Sequence, residues 1–110
     1  MGKRVANAKA IKREMNFSYL IDASKIYPDI TENAKILMQG VADLVFTDEN
    51  GLNILVDYKT DSVFENGEYI LIKRHSSQIE LYTQAIENIN GIKIVEKYIY
   101  SFALSKFIKI

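Results

Sequence analysis

The sequence predicts an α/β sandwich, a mixed central sheet flanked by helices. Three observations lead there. An Asn50-Gly51 pair separates two apolar runs, an S-x-x-E pattern opens a stretch of helical apolar spacing, and a long β-prone segment follows it. The order read along the chain is α-β-β-β-α-β.

Each element has its own signal. Val5, Ala8 and Ile11 recur near helical spacing and predict a short helix within the first thirteen residues. Residues 17–21 (Phe-Ser-Tyr-Leu-Ile) read as a first strand, and residues 22–34, with Asp22, Pro28, Asp29 and Asn33, as a loop. Residues 36–47 read as a second strand. The Asn50-Gly51 turn then sends residues 52–59 back as an antiparallel third. Residues 61–75 look like a polar loop with Asn66-Gly67, in which Tyr69-Ile70-Leu71-Ile72 could form a short extended piece. Ser77 and Glu80 form a capping box for a helix with Ile79, Tyr82, Ile86 and Ile89 on one face, stopped by Asn90-Gly91. Residues 93–107 then read as one strand.

Composition removes several function classes. The 110 residues suit one domain, and 14 Lys+Arg against 14 Asp+Glu give no net charge, which excludes a histone-like polycation. The five cations of the first thirteen residues, with no acid among them, leave local contact with nucleic acid open. No cysteine is present, so disulfides, zinc ribbons and iron–sulfur clusters are ruled out, and a reducing cytoplasm is compatible. No apolar run approaches the ~20 residues of a membrane span. Met1-Gly2-Lys3-Arg4 has no apolar stretch behind it and does not read as a signal peptide.

Two stretches could carry chemistry: Gln39-Gly40-Val41-Ala42-Asp43 and Ile54-Leu55-Val56-Asp57-Tyr58-Lys59-Thr60-Asp61. Strand alternation puts Asp57 and Lys59 on one face and Tyr58 on the other. Pivoting the hairpin about Asn50-Gly51 brings Asp57 opposite residue 44, one place from Asp43. Two carboxylates and a lysine thus gather at the end of a hairpin. Adjacent carboxylates repel unless a hard cation sits between them, and such a cation polarises a phosphoryl oxygen and acidifies bound water. A neighbouring lysine stabilises the developing charge or orients the water. Against this stands a plain surface ion pair, worth about 0–1 kcal/mol.

Gly40-Val41-Ala42-Asp43, Asp57-Tyr58-Lys59-Thr60-Asp61 and Gln78-Ile79-Glu80-Leu81-Tyr82 stand in order as G-x-x-D, D-Y-K-T-D and Q-x-x-x-Y. This arrangement resembles RecB-like nucleases of the PD-(D/E)xK superfamily, in particular the C-terminal nuclease domain of AddA-type (RexA) subunits of bacterial ATP-dependent helicase–nucleases. Arg13-Glu14 before Phe17, Gln39 before Gly40, Arg74 before Gln78 and the run Tyr98-Ile99-Tyr100-Ser101-Phe102 agree, so the likeness covers nearly the whole chain. It implies a restriction-endonuclease-like core over residues 1–110, with the N-terminal helix of the α-β-β-β-α-β order truncated. It implies a cytoplasmic deoxyribonuclease of exonuclease type in DNA repair and recombination. It also implies Mg²⁺ as cofactor (Mn²⁺ substituting), DNA as substrate and an AddB-type partner subunit. Asp43 and Asp57, with the backbone carbonyl of Tyr58, would be metal ligands, Lys59 the catalytic lysine, and Gln78 and Tyr82 would face the site.

The chain departs from the pattern in one respect. The family carries a further ligand, a histidine on a helix upstream of the first strand. The one histidine here, His75, lies after Arg74, where a surface loop residue is expected. The expectation is therefore a C-terminal fragment of a larger helicase–nuclease subunit, weak or inactive alone. No G-x-x-x-x-G-K-[ST] motif is present, so ATPase activity is not expected of this stretch. The lack of cysteines separates it from the cluster-containing nucleases of the family. Two other functions stay open: a non-catalytic DNA-binding or assembly module that keeps the nuclease fold, and a small domain whose hairpin charges merely pair.

Overall fold

The computed structural model describes residues 1–25, 29 and 34–110. Its elements are α1 (Gly2–Ala6), β1 (Ala10–Asp22), a 3-10 turn (Ala23–Lys25), β2 (Lys35–Thr47), β3 (Asn53–Lys59), α2 (Gly67–Asn90), β4 (Ile94–Ser101) and β5 (Lys106–Lys109). The five strands form one sheet in the order β1-β2-β3-β4-β5. The β1–β2, β2–β3 and β4–β5 pairs are antiparallel, and β3–β4 is parallel. A parallel pair needs a crossover, and α2 supplies it.

The strand β3 is the centre. Ile54, Leu55 and Val56 are all buried because both faces of the sheet are covered there. On the α2 side, Leu55 packs with Val45, Leu71, Ile79, Ile86 and Ile99. On the other side, Ile54 and Val56 pack with Leu44 and Phe46 beneath Val5 and Ala8. Fully burying each of these side chains contributes about 1.5–3 kcal/mol.

The structure revises the expected boundaries. The N-terminal helix ends at Ala6, and Ile11 lies in β1 opposite Phe46, because the edge of β2 offers residues 10–13 a ladder. The loop expected over residues 22–34 falls largely on 26–28 and 30–33, outside the described residues. The polar loop expected over 61–75 is mostly helix: α2 starts ten residues before Ser77, behind a left-handed Asn66. Gly67, Leu71 and Ile79 form one buried stripe at spacings of four and eight, and burying that stripe outweighs the β-prone look of residues 69–72. Ser77 and Glu80 therefore sit inside the helix and cap nothing, and Ile89 is exposed. The last segment is two strands. The chain turns at Ser105, whose φ is +53°, with Ser101 Oγ accepting the Leu104 N–H at 3.0 Å. The element order is thus α-β-β-β-α-β-β.

Arg4 pins α1 to the sheet. Its guanidinium donates to Asp48 Oδ2 at 2.9 Å and to both oxygens of Glu96 at 2.7 and 3.1 Å. The Arg4 hydrogen bonds, with that of Tyr98, hold the Glu96 carboxyl at about 2, well below its ordinary 4.5. Stability from this pairing is present above pH 4.5 and fades as pH falls toward 2. Arg4→Ala should cost about 1–3 kcal/mol at pH 7, because the buried Asp48 and the partly buried Glu96 lose their partner. The deficit should shrink at pH 2–3. Urea unfolding at both pH values checks this, and an equal deficit at the two would refute the pairing.

Candidate active site

The hairpin turn decides where Asp43 lies. Asp48 Oδ1 accepts the N–H groups of Asn50 and Leu52, both at 2.9 Å, and Gly51 takes a φ of +83°. The Asp48 N–H donates to Leu52 O, so the loop has three residues rather than two. Leu44 consequently pairs with Val56, and Asp57 comes level with Asp43, one place from the expected register.

A second irregularity turns Asp43 into the site. The β1–β2 ladder skips Glu14 and Asp43, and Glu14 has a φ of +49°. Alternation shifts by one residue there: Ala42 and Val45 both pack on the α2 side, while Leu44 and Phe46 pack on the other. Asp43 Oδ2 accepts the Tyr58 N–H at 2.8 Å, which ties β2 to the end of β3.

Asp57, Lys59, Gln78 and Tyr82 form a chain across the α2 side. Lys59 Nζ lies 2.8 Å from Asp57 Oδ2 and donates to Gln78 Oε1 at 3.3 Å. Gln78 Nε2 donates to the Tyr82 hydroxyl at 3.4 Å. The Tyr82 ring meets Phe17 edge to face at 4.9 Å between centroids. Tyr58 faces the opposite side, in T-shaped contact with Tyr100 and Phe102.

The electrostatics of Asp57 are unusual. Only 6% of the residue is exposed. Its Oδ2 is buried, and the Lys59 ammonium stands 2.8 Å from it. Burial first, then the nearby Asp43 carboxyl, push Asp57 up to about 6, and Lys59 pulls it back only in part. Two level carboxylates, one of them buried, beside the Tyr58 backbone are an oxygen donor set that suits a hard divalent cation. Among the described residues no three His, Cys, Asp or Glu side chains cluster as ligands, so a cation here would rest on two carboxylates and a backbone carbonyl.

Two features of the site have no clear signal in the sequence. Gly40 is needed for contact: a Cβ there would stand 2.7 Å from Phe17 Cζ and 2.9 Å from Tyr82 Cζ. The glycine of G-x-x-D thus seats the tyrosine of Q-x-x-x-Y. His75, expected in a surface loop, lies in α2 with its side chain only 16% exposed and Nε2 3.1 Å from Asp61 Oδ2. Its shared helix face with Gln78 is hidden in the sequence, where the capping signal puts the helix start at Ser77.

Comparison with known proteins agrees with the motif order. Two AddA proteins, each named for its part in an ATP-dependent helicase/nuclease, come from Thermoanaerobacter sp. (strain X514) and Thermoanaerobacter pseudethanolicus (strain ATCC 33223 / 39E). Each is 44% identical to the chain over 105 residues, or 93% of it. A protein of the same name from Clostridium botulinum (strain Okra / Type B1) is 40% identical over 114 residues, covering 100% of the chain. By sequence the chain is a homologue of one segment of the AddA family of ATP-dependent helicase/nucleases. It spans only 8–9% of the length of these relatives. No protein-family model matches the chain. Among the described residues, no helix is long and apolar enough to cross a membrane.

Two outcomes follow for this chain. The raised Asp57 carboxyl contributes stability that is fully present below its ordinary 3.8 and is lost as pH rises through about 6. In metal-free buffer the parent should lose stability between pH 4 and 6, and Asp57→Asn should lose less. Guanidinium melts at both pH values check this, and parallel losses would overturn it. Gly40→Ala should destabilise by about 1–3 kcal/mol through overpacking. Denaturant unfolding measures the cost, and an unchanged midpoint would contradict the close approach.

Proposed function

We propose that this segment is the metal-dependent DNA nuclease core of an AddA-type helicase/nuclease in double-strand-break repair and recombination. In that reading the domain is a restriction-endonuclease-like PD-(D/E)xK core and hydrolyses phosphodiesters as an exonuclease. The observation that carries it is the buried Asp57 carboxylate, level with Asp43 and paired with Lys59 at 2.8 Å. The parallel β3–α2–β4 crossover supports it by placing this trio where an apolar central strand ends.

Asp43, Asp57 and the Tyr58 carbonyl would hold Mg²⁺ or Mn²⁺, which supplies Lewis-acid polarisation of a phosphoryl oxygen and a more acidic water. The chain's own residues do the rest. Lys59 presents its ammonium beside the carboxylates, where it stabilises the extra negative charge of a pentacovalent phosphorus. Gln78 accepts from Lys59 and so directs Nζ. Tyr82, wedged against Phe17 and Gly40, holds Gln78 from the far side. With only two carboxylates and a carbonyl, the cation is lightly held, so slow cleavage is expected of the isolated segment. DNA is the substrate in this reading, and the whole protein takes an AddB-type partner.

The second reading is a non-catalytic DNA-binding or assembly module with the same fold. It draws on the 2.8 Å Lys59–Asp57 pair, which already part-neutralises the acid. Titration calorimetry with Mn²⁺ separates the two. The parent should bind and Asp57→Ala should not; equal binding would reject the nuclease reading. Lys59→Ala should keep Mn²⁺ affinity within about threefold, since an ammonium cannot ligate, yet lose at least about 10²-fold in cleavage of linear DNA. Cleavage at the parent rate would remove Lys59 from the mechanism.

A further inference from the structure

The stretch after β3 is fastened to α2 at a second point besides Lys59. Asp61 Oδ2 accepts from Arg74 Nη1 at 2.6 Å and lies 3.1 Å from His75 Nε2. Arg74 and His75 sit one turn before Gln78, the residue that accepts from Lys59. Two ties therefore run in parallel between residues 59–61 and one side of α2.

They differ in strength. The Lys59–Gln78 bond is 3.3 Å long, at the weak end of the donor–acceptor range. Lysine has four rotatable bonds and loses up to about 2 kcal/mol of rotamer freedom when fixed, so its 2.8 Å pairing with Asp57 and its bond to Gln78 depend on where the backbone at 59 stands. The Asp61–Arg74 contact is short and charge-assisted. Only Thr60 separates Lys59 from Asp61, so an anchor at 61 restrains the backbone at 59 within about 7 Å.

We propose that Asp61 is a positioning residue for Lys59: by gripping Arg74 and His75 it fixes the end of β3 against α2, so that the lysine ammonium stays between Asp57 and Gln78. The catalytic meaning of that placement rests on the nuclease reading above; the placement itself does not.

Lysine acylation read by mass spectrometry tests it in the intact chain without metal or DNA. Lys97 is the internal reference, since it is paired with Glu80 and its side chain is 23% exposed against 19% for Lys59. Asp61→Ala should raise the Lys59:Lys97 acylation ratio about fivefold as the ammonium is released. Asp61→Asn, which keeps an oxygen acceptor, should restore part of the protection. Glu68→Ala, which cuts the separate Lys106–Glu68 tie at the start of α2, should leave the ratio unchanged. Circular dichroism confirms folding, and if Asp61→Ala does not fold, Asp61→Asn and Arg74→Gln carry the same test. A ratio within about 1.5-fold of the parent in the folded variants, or an equal rise in Glu68→Ala, overturns the proposal. Failure of the nuclease reading shows separately, as unchanged Mn²⁺ binding in Asp57→Ala.

Discussion

Asp57 is a carboxylate forced into the end of an apolar strand beside a second carboxylate, and much of the surrounding structure answers that constraint. An ionised group there gives up water without a full set of hydrogen bonds in return, so its proton is held up to about pH 6. Three elements respond to it. The strand β3 supplies the neighbouring Lys59, β2 brings Asp43 level, and α2 keeps Lys59 turned inward through Gln78. A fold selected for stability alone would place an apolar side chain at position 57, continuing Ile54, Leu55 and Val56. The acid is therefore a local conflict with packing, and such conflicts concentrate at functional sites.

The helix α2 reconciles core and site because one element serves both. Leu71, Ile79 and Ile86 fill the cluster over β3, while His75, Gln78 and Tyr82 lie along the neighbouring stripe that borders the carboxylates. At residue 82 the helix comes so close to the β1–β2 hairpin that only glycine fits at position 40. The motif residues are packing partners of one another: Gly40 admits Tyr82, and Tyr82 backs Gln78.

What is legible in the sequence follows from range. The hairpin, the third strand and the shared face of Asp57 and Lys59 are local, set by turn residues and by two-residue alternation. The three motifs in order point to the AddA family, and relatives matching nearly the whole chain carry that name. The start of α2 is not legible, because residues 69–72 look extended in isolation and become helical only when Gly67 and Leu71 find Leu104 and the sheet. Nor is the break at Ser105, where a left-handed residue other than glycine splits one β-prone run into two strands. The shift of alternation at Asp43 has no sequence signature at all, since it arises from the paired irregularity with Glu14 across the ladder.

The register at Asp43 shows how far a distant contact reaches. With a two-residue turn at Asn50-Gly51, Leu44 would stand beside Asp57, and the second acid would fall out of line. Asp48 fastens the three-residue loop by accepting the N–H of Asn50 within it and that of Leu52 at its end, and Asp48 is itself held by Arg4 from α1. Strand pairing from Thr47–Asn53 to Leu44–Val56 is unbroken, so the offset set at the turn is carried rigidly to the other end. The helix α1 touches neither carboxylate of the site. Through Arg4 and Asp48 it nonetheless helps set which residue of β2 meets Asp57, and that residue is an acid rather than a leucine only in this register.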